Sequence, residues 1–111
     1  MLKICVTGGR FYDDAAYVNE VLSLIWPFKL GQGGAPGADK LCERWTEMRD
    51  PCAVTTYPAE WKARGRAAGP LRNRFMLDDF QPHALLAFPG GRGTADCVAA
   101  AHERGIPVWH V

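Results

Sequence analysis

The chain has 111 residues, 48% of them hydrophobic and 23% charged, and its thirteen Lys and Arg nearly cancel twelve Asp and Glu. One domain is expected, since a second core could not be filled at this length and domains run from about 50 to 250 residues. The apolar content excludes a disordered chain, and a net charge of +1 supplies no global field for a nucleic-acid partner.

The first residues, Lys3 to Val6, form a short β-rich run that stops at Thr7-Gly8-Gly9-Arg10. A strand ending on paired glycines usually opens an α/β unit. Asp13 or Asp14 can cap the helix that follows, where Val18, Val21, Leu22 and Ile25 share one face until Pro27 ends it. Phe28 to Gly31 read as a second strand, and Gly33-Gly34-Ala35-Pro36-Gly37 as a tight loop. Ala38, Leu41, Cys42, Trp45 and Met48 make a helical stripe that Asp50-Pro51 stops, and Ala53 to Tyr57 a third strand rich in β-branched residues.

A polar, basic connection runs from Pro58 to Gly69. Pro70 suits a first helical turn, and the helix continues through Leu71, Phe75, Met76 and Phe80. Ala84 to Phe88 form an uninterrupted apolar strand, as expected when both faces of a sheet are covered. After Pro89-Gly90-Gly91-Arg92-Gly93-Thr94 comes a helix from Thr94 to Arg104, with Ala95, Val98 and Ala101 turned inward, and a last strand from Ile106 to Val111. The alternation predicts an α/β fold: a Rossmann-like three-layer sandwich with a mostly parallel five-stranded sheet and helices on both faces.

Open α/β sheets place ligands outside the carboxyl ends of their strands. Three glycine loops follow strands here, Gly8-Gly9-Arg10, Gly33-Gly34-x-x-Gly37-x-Asp39 and Pro89-Gly90-Gly91-x-Gly93-Thr94, and together they predict one anion or nucleotide cleft. None is a P-loop, which requires Gly-Lys-Ser/Thr, and no GxGxxG follows the first strand. Between Glu60 and Arg74 lie five cations, Lys62, Arg64, Arg66, Arg72 and Arg74, against one acid, Glu60. Arginine adds a bidentate fork to whatever the backbone offers a phosphate. Trp61 and Tyr57 suit stacking on a base or packing of the loop, and Thr94 suits a phosphate contact, a helix cap, or both. Asp39 fits poorly as an anion ligand; ribose hydroxyls, an arginine or helix-start N–H groups are its expected partners. Asp96 suits a general base or a first-turn helix acid.

No metal site and no bound cofactor are expected. Cys5, Cys42, Cys52 and Cys97 are 37, 10 and 45 residues apart with no CxxC, and His83, His102 and His110 form no ligand set. The cysteines read as reduced thiols. No apolar run reaches 18 residues and no signal-like segment opens the sequence, so a cytoplasmic protein with no membrane partner is expected. Ser23, the single serine, sits inside a helix, which sets serine hydrolase chemistry aside.

These motifs resemble the SLOG superfamily, the Rossmann-like group uniting DprA/Smf proteins with the LOG phosphoribohydrolases, and within it the YspA-like branch related to YpsA. The similarity runs nearly end to end, from Val6-Thr7-Gly8-Gly9-Arg10-Phe11 through Gly33-Gly34-Ala35-x-Gly37-Ala38-Asp39 and Pro58-Ala59-x-Trp61. It continues through Gly65-Arg66-x-Ala68-Gly69-Pro70-x-Arg72-Asn73-x-x-Met76 to Phe88-Pro89-Gly90-Gly91-x-Gly93-Thr94-Ala95-Asp96. The resemblance implies a nucleotide pocket built from the two later glycine loops and closed by the first. In LOG enzymes an arginine of Arg-Lys-x-x-Met and a glutamate beyond Pro-Gly-Gly-x-Gly-Thr cleave an N-glycosidic bond. Arg72 matches that arginine; the glutamate position carries Cys97, whose thiol cannot supply a carboxylate, with Asp96 beside it.

Three functions follow as expectations. The first is binding or sensing of a nucleotide or nucleotide-derived ligand, through the glycine loops with Arg10, Arg66, Arg72 and Asn73. The second is hydrolysis of the N-glycosidic bond of a nucleotide or ADP-ribose-like compound, with Arg72 and Asp96 catalytic. The third, a DprA-like association with DNA, is disfavoured by the near-neutral charge. A homodimer is expected from the four tryptophans and from the superfamily's habit of pairing through helices.

Overall fold

A computed structural model describes residues 1–111. Its elements are β1 (Leu2–Thr7), α1 (Ala15–Ile25), β2 (Phe28–Gln32), α2 (Ala38–Glu47), β3 (Ala53–Thr56), α3 (Trp61–Arg64), a 3-10 turn (Gly65–Ala67), α4 (Ala68–Phe80), β4 (Ala84–Ala87), α5 (Arg92–Glu103) and β5 (Val108–His110). The sheet has the order β3-β2-β1-β4-β5 and every pairing is parallel. This is a Rossmann-like α/β fold. The Cα radius of gyration, 12.7 Å, suits a single domain of this length.

Alternation along the central strands divides the core in two. Ile4 and Val6 of β1, Phe28 and Leu30 of β2, and Ala84 and Leu86 of β4 face Val18 and Leu22 of α1 and Ala38, Cys42 and Trp45 of α2. Cys5 and Leu85 face the opposite way, onto Met76, Leu77 and Phe80 of α4 and Cys97, Ala100 and Ala101 of α5. A central parallel strand must be apolar on both sides, which is why β4 is buried at all four positions. The edge strands β3 and β5 are mostly exposed and correspondingly less apolar.

Local chemistry sets the element boundaries. Asp14 caps α1, its Oδ1 accepting from the Tyr17 amide at 3.0 Å, and Pro27 closes it. The expected basic connection holds a helical turn, α3, and the 3-10 turn; Pro70 occupies the third position of α4, where its missing N–H again needs no intrahelical partner. Four residues expected on inner faces lie elsewhere. Met48 falls beyond the last turn of α2 and is exposed. Leu71 and Phe75 point off the core face of α4, which Asn73, Met76, Leu77 and Phe80 occupy. Ala95 is exposed because α5 begins at Arg92, two residues earlier than expected, and its inner face is Cys97, Ala100 and Ala101.

Candidate functional site

The chain leaves β1 toward β2 on one side and returns later to pair β4 on the other, so the two loops that diverge at this switch point flank a crevice at the carboxyl edge. Thr7 stands level with Ala87 across β1 and β4, and the ladder extends past both strands: Phe88 N–H donates to Thr7 O at 3.0 Å and Gly9 N–H to Pro89 O at 2.8 Å. The second loop joins them, Ala38 N–H donating to Gly9 O at 3.1 Å. The three glycine loops expected to converge do converge.

Two glycines make this approach possible. Gly37 has φ +85°, and any Cβ there would collide with Gly9 O and the Arg10 carbonyl. At Gly90 the place of a side chain is taken by Thr94 Oγ1, with the Gly9 amide behind it.

The loops differ in what they offer a ligand. In the second, Gly33 and Ala35 N–H groups donate to Asp39 Oδ2 at 3.2 and 3.3 Å, and Gly34 N–H to Gln32 Oε1. Those amides are satisfied within the protein, so Gly33 and Gly34, expected in the ligand cleft, offer it no free N–H: their loop shapes the crevice, and Asp39 holds it closed. Burial raises the Asp39 carboxyl above its ordinary range, against the pull of both amides and of Arg72. The third loop is the opposite case. Gly91 precedes the first turn of α5, and the amides from Gly90 to Thr94 donate to no protein acceptor; the ladder of α5 starts with Ala95 N–H on Gly91 O at 3.0 Å. The Gly8 amide is likewise free.

Arg72 and Asn73 of α4 tie the loops to the sheet. Arg72 Nη1 donates to Gly33 O at 3.1 Å and Tyr57 O at 3.2 Å, and its Nε to Asn73 Oδ1 at 3.0 Å. The buried Asn73 turns its Nδ2 to Asp96 Oδ2 at 3.0 Å and Gly93 O at 3.4 Å, which fixes the start of α5. Asp96 is further held by Arg74 Nη1, at 3.1 and 3.2 Å. Cys97 is wholly buried; burial pushes its thiol up to about 11 despite a hydrogen bond with Thr7, so it stays protonated and un-nucleophilic at neutral pH.

Arg10, Arg66 and Arg92 are exposed and form no ion pair. Trp61 is exposed and rests against Gly69, whereas Tyr57 is buried and donates to Asp79 Oδ2 at 2.7 Å; burial first, then that carboxylate, raises its phenol. Sequence reasoning missed Gln32, fully buried with its Nε2 on Thr56 Oγ1 at 2.7 Å, and Phe11, 95% exposed beside Arg10. A glutamine directly before the paired glycines that end β2 was the signal for the first. Beside the crevice a groove of about 600 Å³ opens between the end of β3 and α4, walled by Tyr57, Leu71 and Phe75 and rimmed by Glu60, Arg64 and Arg72. No group of His, Cys, Asp and Glu is arranged to hold a metal, and no helix is long and apolar enough to cross a membrane.

No protein-family model matches the chain. It is 34% identical over 119 residues to the Gene 61 protein of Mycobacterium phage D29, the alignment covering 97% of this chain and 94% of the phage protein. Among solved structures, UDP-N-acetylglucosamine 2-epimerase from Rickettsia bellii is similar with a TM-score of 0.54 at 22% identity. That match covers 99% of this chain but 30% of the epimerase chain, and the likeness is one of fold.

Proposed function

We propose that this chain, which belongs to the family of the Gene 61 protein of Mycobacterium phage D29, binds a nucleotide or nucleotide-derived ligand in the switch-point crevice. The observation that carries the reading is the run of five amides, Gly90 to Thr94, that meet no acceptor in the protein and open α5 beside the Gly8 amide. Backbone N–H groups at a helix start, with the positive end of the helix dipole, suit a phosphate. Arg92, in the first turn of α5, and Arg10, beside Gly9, add unpaired positive charge at the same mouth. The resemblance to the SLOG superfamily supports the same ligand class.

Binding is favoured over N-glycosidic hydrolysis by the state of the carboxylates. Asp39 is enclosed by two amides, and Asp96 is engaged by Arg74 and Asn73, so neither stands free to activate water or stabilise an oxocarbenium centre. Calorimetric titration with nucleoside monophosphates tests the reading. Saturable binding is expected, weakened about tenfold by Arg92→Glu, because a like charge replaces an attractive one beside the phosphate. Absence of saturation with every monophosphate, or indifference to Arg92→Glu and Arg10→Glu alike, overturns it. A homodimer is part of the same proposal, on the strength of Trp26, Trp61 and Trp109 standing 47%, 57% and 40% exposed; a monomer in sedimentation at micromolar concentration removes it.

A further inference from the structure

Resting on the nucleotide reading above, we propose that the groove between the end of β3 and α4 is the subsite for the ligand's base. α4 has two apolar faces. One, ending in Met76, Leu77 and Phe80, is packed on the sheet; the other, Leu71 and Phe75 one turn apart, lies outside both core clusters, meets Tyr57 at the Phe75 ring, and is 47% and 61% exposed. These side chains do not form a convex patch: they wall a concave space of about 600 Å³, within the range of roughly 300–1,000 Å³ common to small-molecule sites.

The wall that adjoins Phe75 is rigid and aromatic. Tyr57 is pinned by its bond to Asp79, and its ring meets Phe75 edge-on at 5.9 Å and 67° and Phe80 at 6.3 Å and 81°. Such walls suit a flat ring, because stacking needs a fixed π-face and loses little entropy when the rings are already held. The rim decides between a flat heteroaromatic ring and an aliphatic chain. Glu60 and Arg64 pair with each other there at 3.3 Å, and Arg72, with Nη1 and Nε already bonded, keeps Nη2 as a donor, which an aliphatic ligand would cover without satisfying. A nucleobase carries donors and acceptors around an apolar face, which matches both.

Continuity with the phosphate site runs through α4. Arg72 forms part of the groove and holds the carbonyls of Gly33 and Tyr57, while its neighbour Asn73 holds Gly93 O in the loop of free amides. A ligand with its base in the groove and its phosphate at Gly90 to Thr94 would straddle one guanidinium.

The test compares adenosine 5′-monophosphate with ribose 5-phosphate, which lacks the base, on the parent protein and on a Leu71→Ser, Phe75→Ser double variant. Both side chains lie outside the core clusters, so a folded variant is expected, its thermal transition lowered by about 2–6 °C for the lost contact between Phe75 and Tyr57. The nucleotide should bind the parent at least tenfold more tightly than the sugar phosphate, and the double variant should lose that margin while its affinity for ribose 5-phosphate stays put. Equal affinity of the parent for both probes, or a nucleotide affinity the double variant leaves intact, overturns the base subsite and leaves the phosphate site standing. Failure of both probes to bind the parent overturns both readings. A double variant that changes oligomeric state but not nucleotide affinity marks the groove as a docking face and overturns the subsite. Nuclear Overhauser contacts on the unaltered protein, from the Phe75 ring to the protons of the base, give the same decision without any variant: their presence is expected, and their absence at saturation is fatal.

Discussion

Gly37→Ala is the substitution that most directly probes the convergence of the loops. Gly37 has φ +85° and ψ −128°, a region open in practice to glycine alone, and the added Cβ would press into Gly9 O and the backbone of Arg10. Holding a non-glycine residue there costs about 1–3 kcal/mol. Relief by moving the second loop away from the first breaks the 3.1 Å bond from Ala38 N–H to Gly9 O, a further ~1 kcal/mol net. The expected loss is about 2–4 kcal/mol, a fall in the thermal midpoint of roughly 8–16 °C at about 4 °C per kcal/mol for a domain of this size. Urea unfolding followed by circular dichroism measures it. Gly93→Ala is the internal comparison: its Cβ meets nothing within 4 Å and its backbone is helical, so its stability should be unchanged or slightly raised. A Gly37→Ala protein as stable as the parent would refute the close approach of the first two loops, and with it the shape of the crevice.

Three further outcomes are expected. Asp39 has a folded pKa above its unfolded value, so the native state holds the extra proton and stability falls as pH rises from about the ordinary carboxylate value, 3.8, through the raised one; Asp39→Asn should flatten that segment of a urea-midpoint profile. Arg72→Lys should cost about 2–3 kcal/mol in the same unfolding assay, because one ammonium cannot reproduce the fork that reaches Gly33 O, Tyr57 O and Asn73 Oδ1 together. Iodoacetamide at pH 7.5 should label Cys52 first in the native protein, as Cys5, Cys42 and Cys97 are buried thiols whose ionisation burial opposes; mass spectrometry reads the order, and early labelling of Cys97 would contradict its placement beneath the crevice.

The fold was legible where periodicity was unambiguous. Val18, Val21, Leu22 and Ile25 at helical spacing after Asp13 or Asp14, and the unbroken apolar run from Ala84 to Phe88, each point to one element, and the glycine pairs ending β1 and opening α5 marked the loops of the switch point. Inner faces were misassigned where hydrophobicity alone was the guide. Leu71 and Phe75 are as apolar as Met76 and Leu77, yet one pair walls the groove and the other packs on the sheet, a difference that tertiary contacts decide. The glycine loops could be found from sequence but not told apart, because which amides are free depends on partners far along the chain or on side-chain direction. Asp39 lies six residues from Gly33 and takes its amide, whereas nothing near Gly90 to Thr94 does the same. Asn73 illustrates the same limit: its bonds to Gly93 and Asp96 span 20 and 23 positions in the chain, where no local pattern extends.

The central claim is that free amides at the start of α5 receive a phosphate. Titrating ¹⁵N-labelled protein with adenosine 5′-monophosphate and following each amide resonance tests it residue by residue. The account predicts saturating shifts that are largest at Gly8 and from Gly90 to Thr94, with smaller ones at Gly33, Gly34 and Ala35, whose N–H groups are already bonded. Resonances from Gly90 to Thr94 that stay still at millimolar nucleotide, or move less than those of the Asp39-bonded loop, would contradict it.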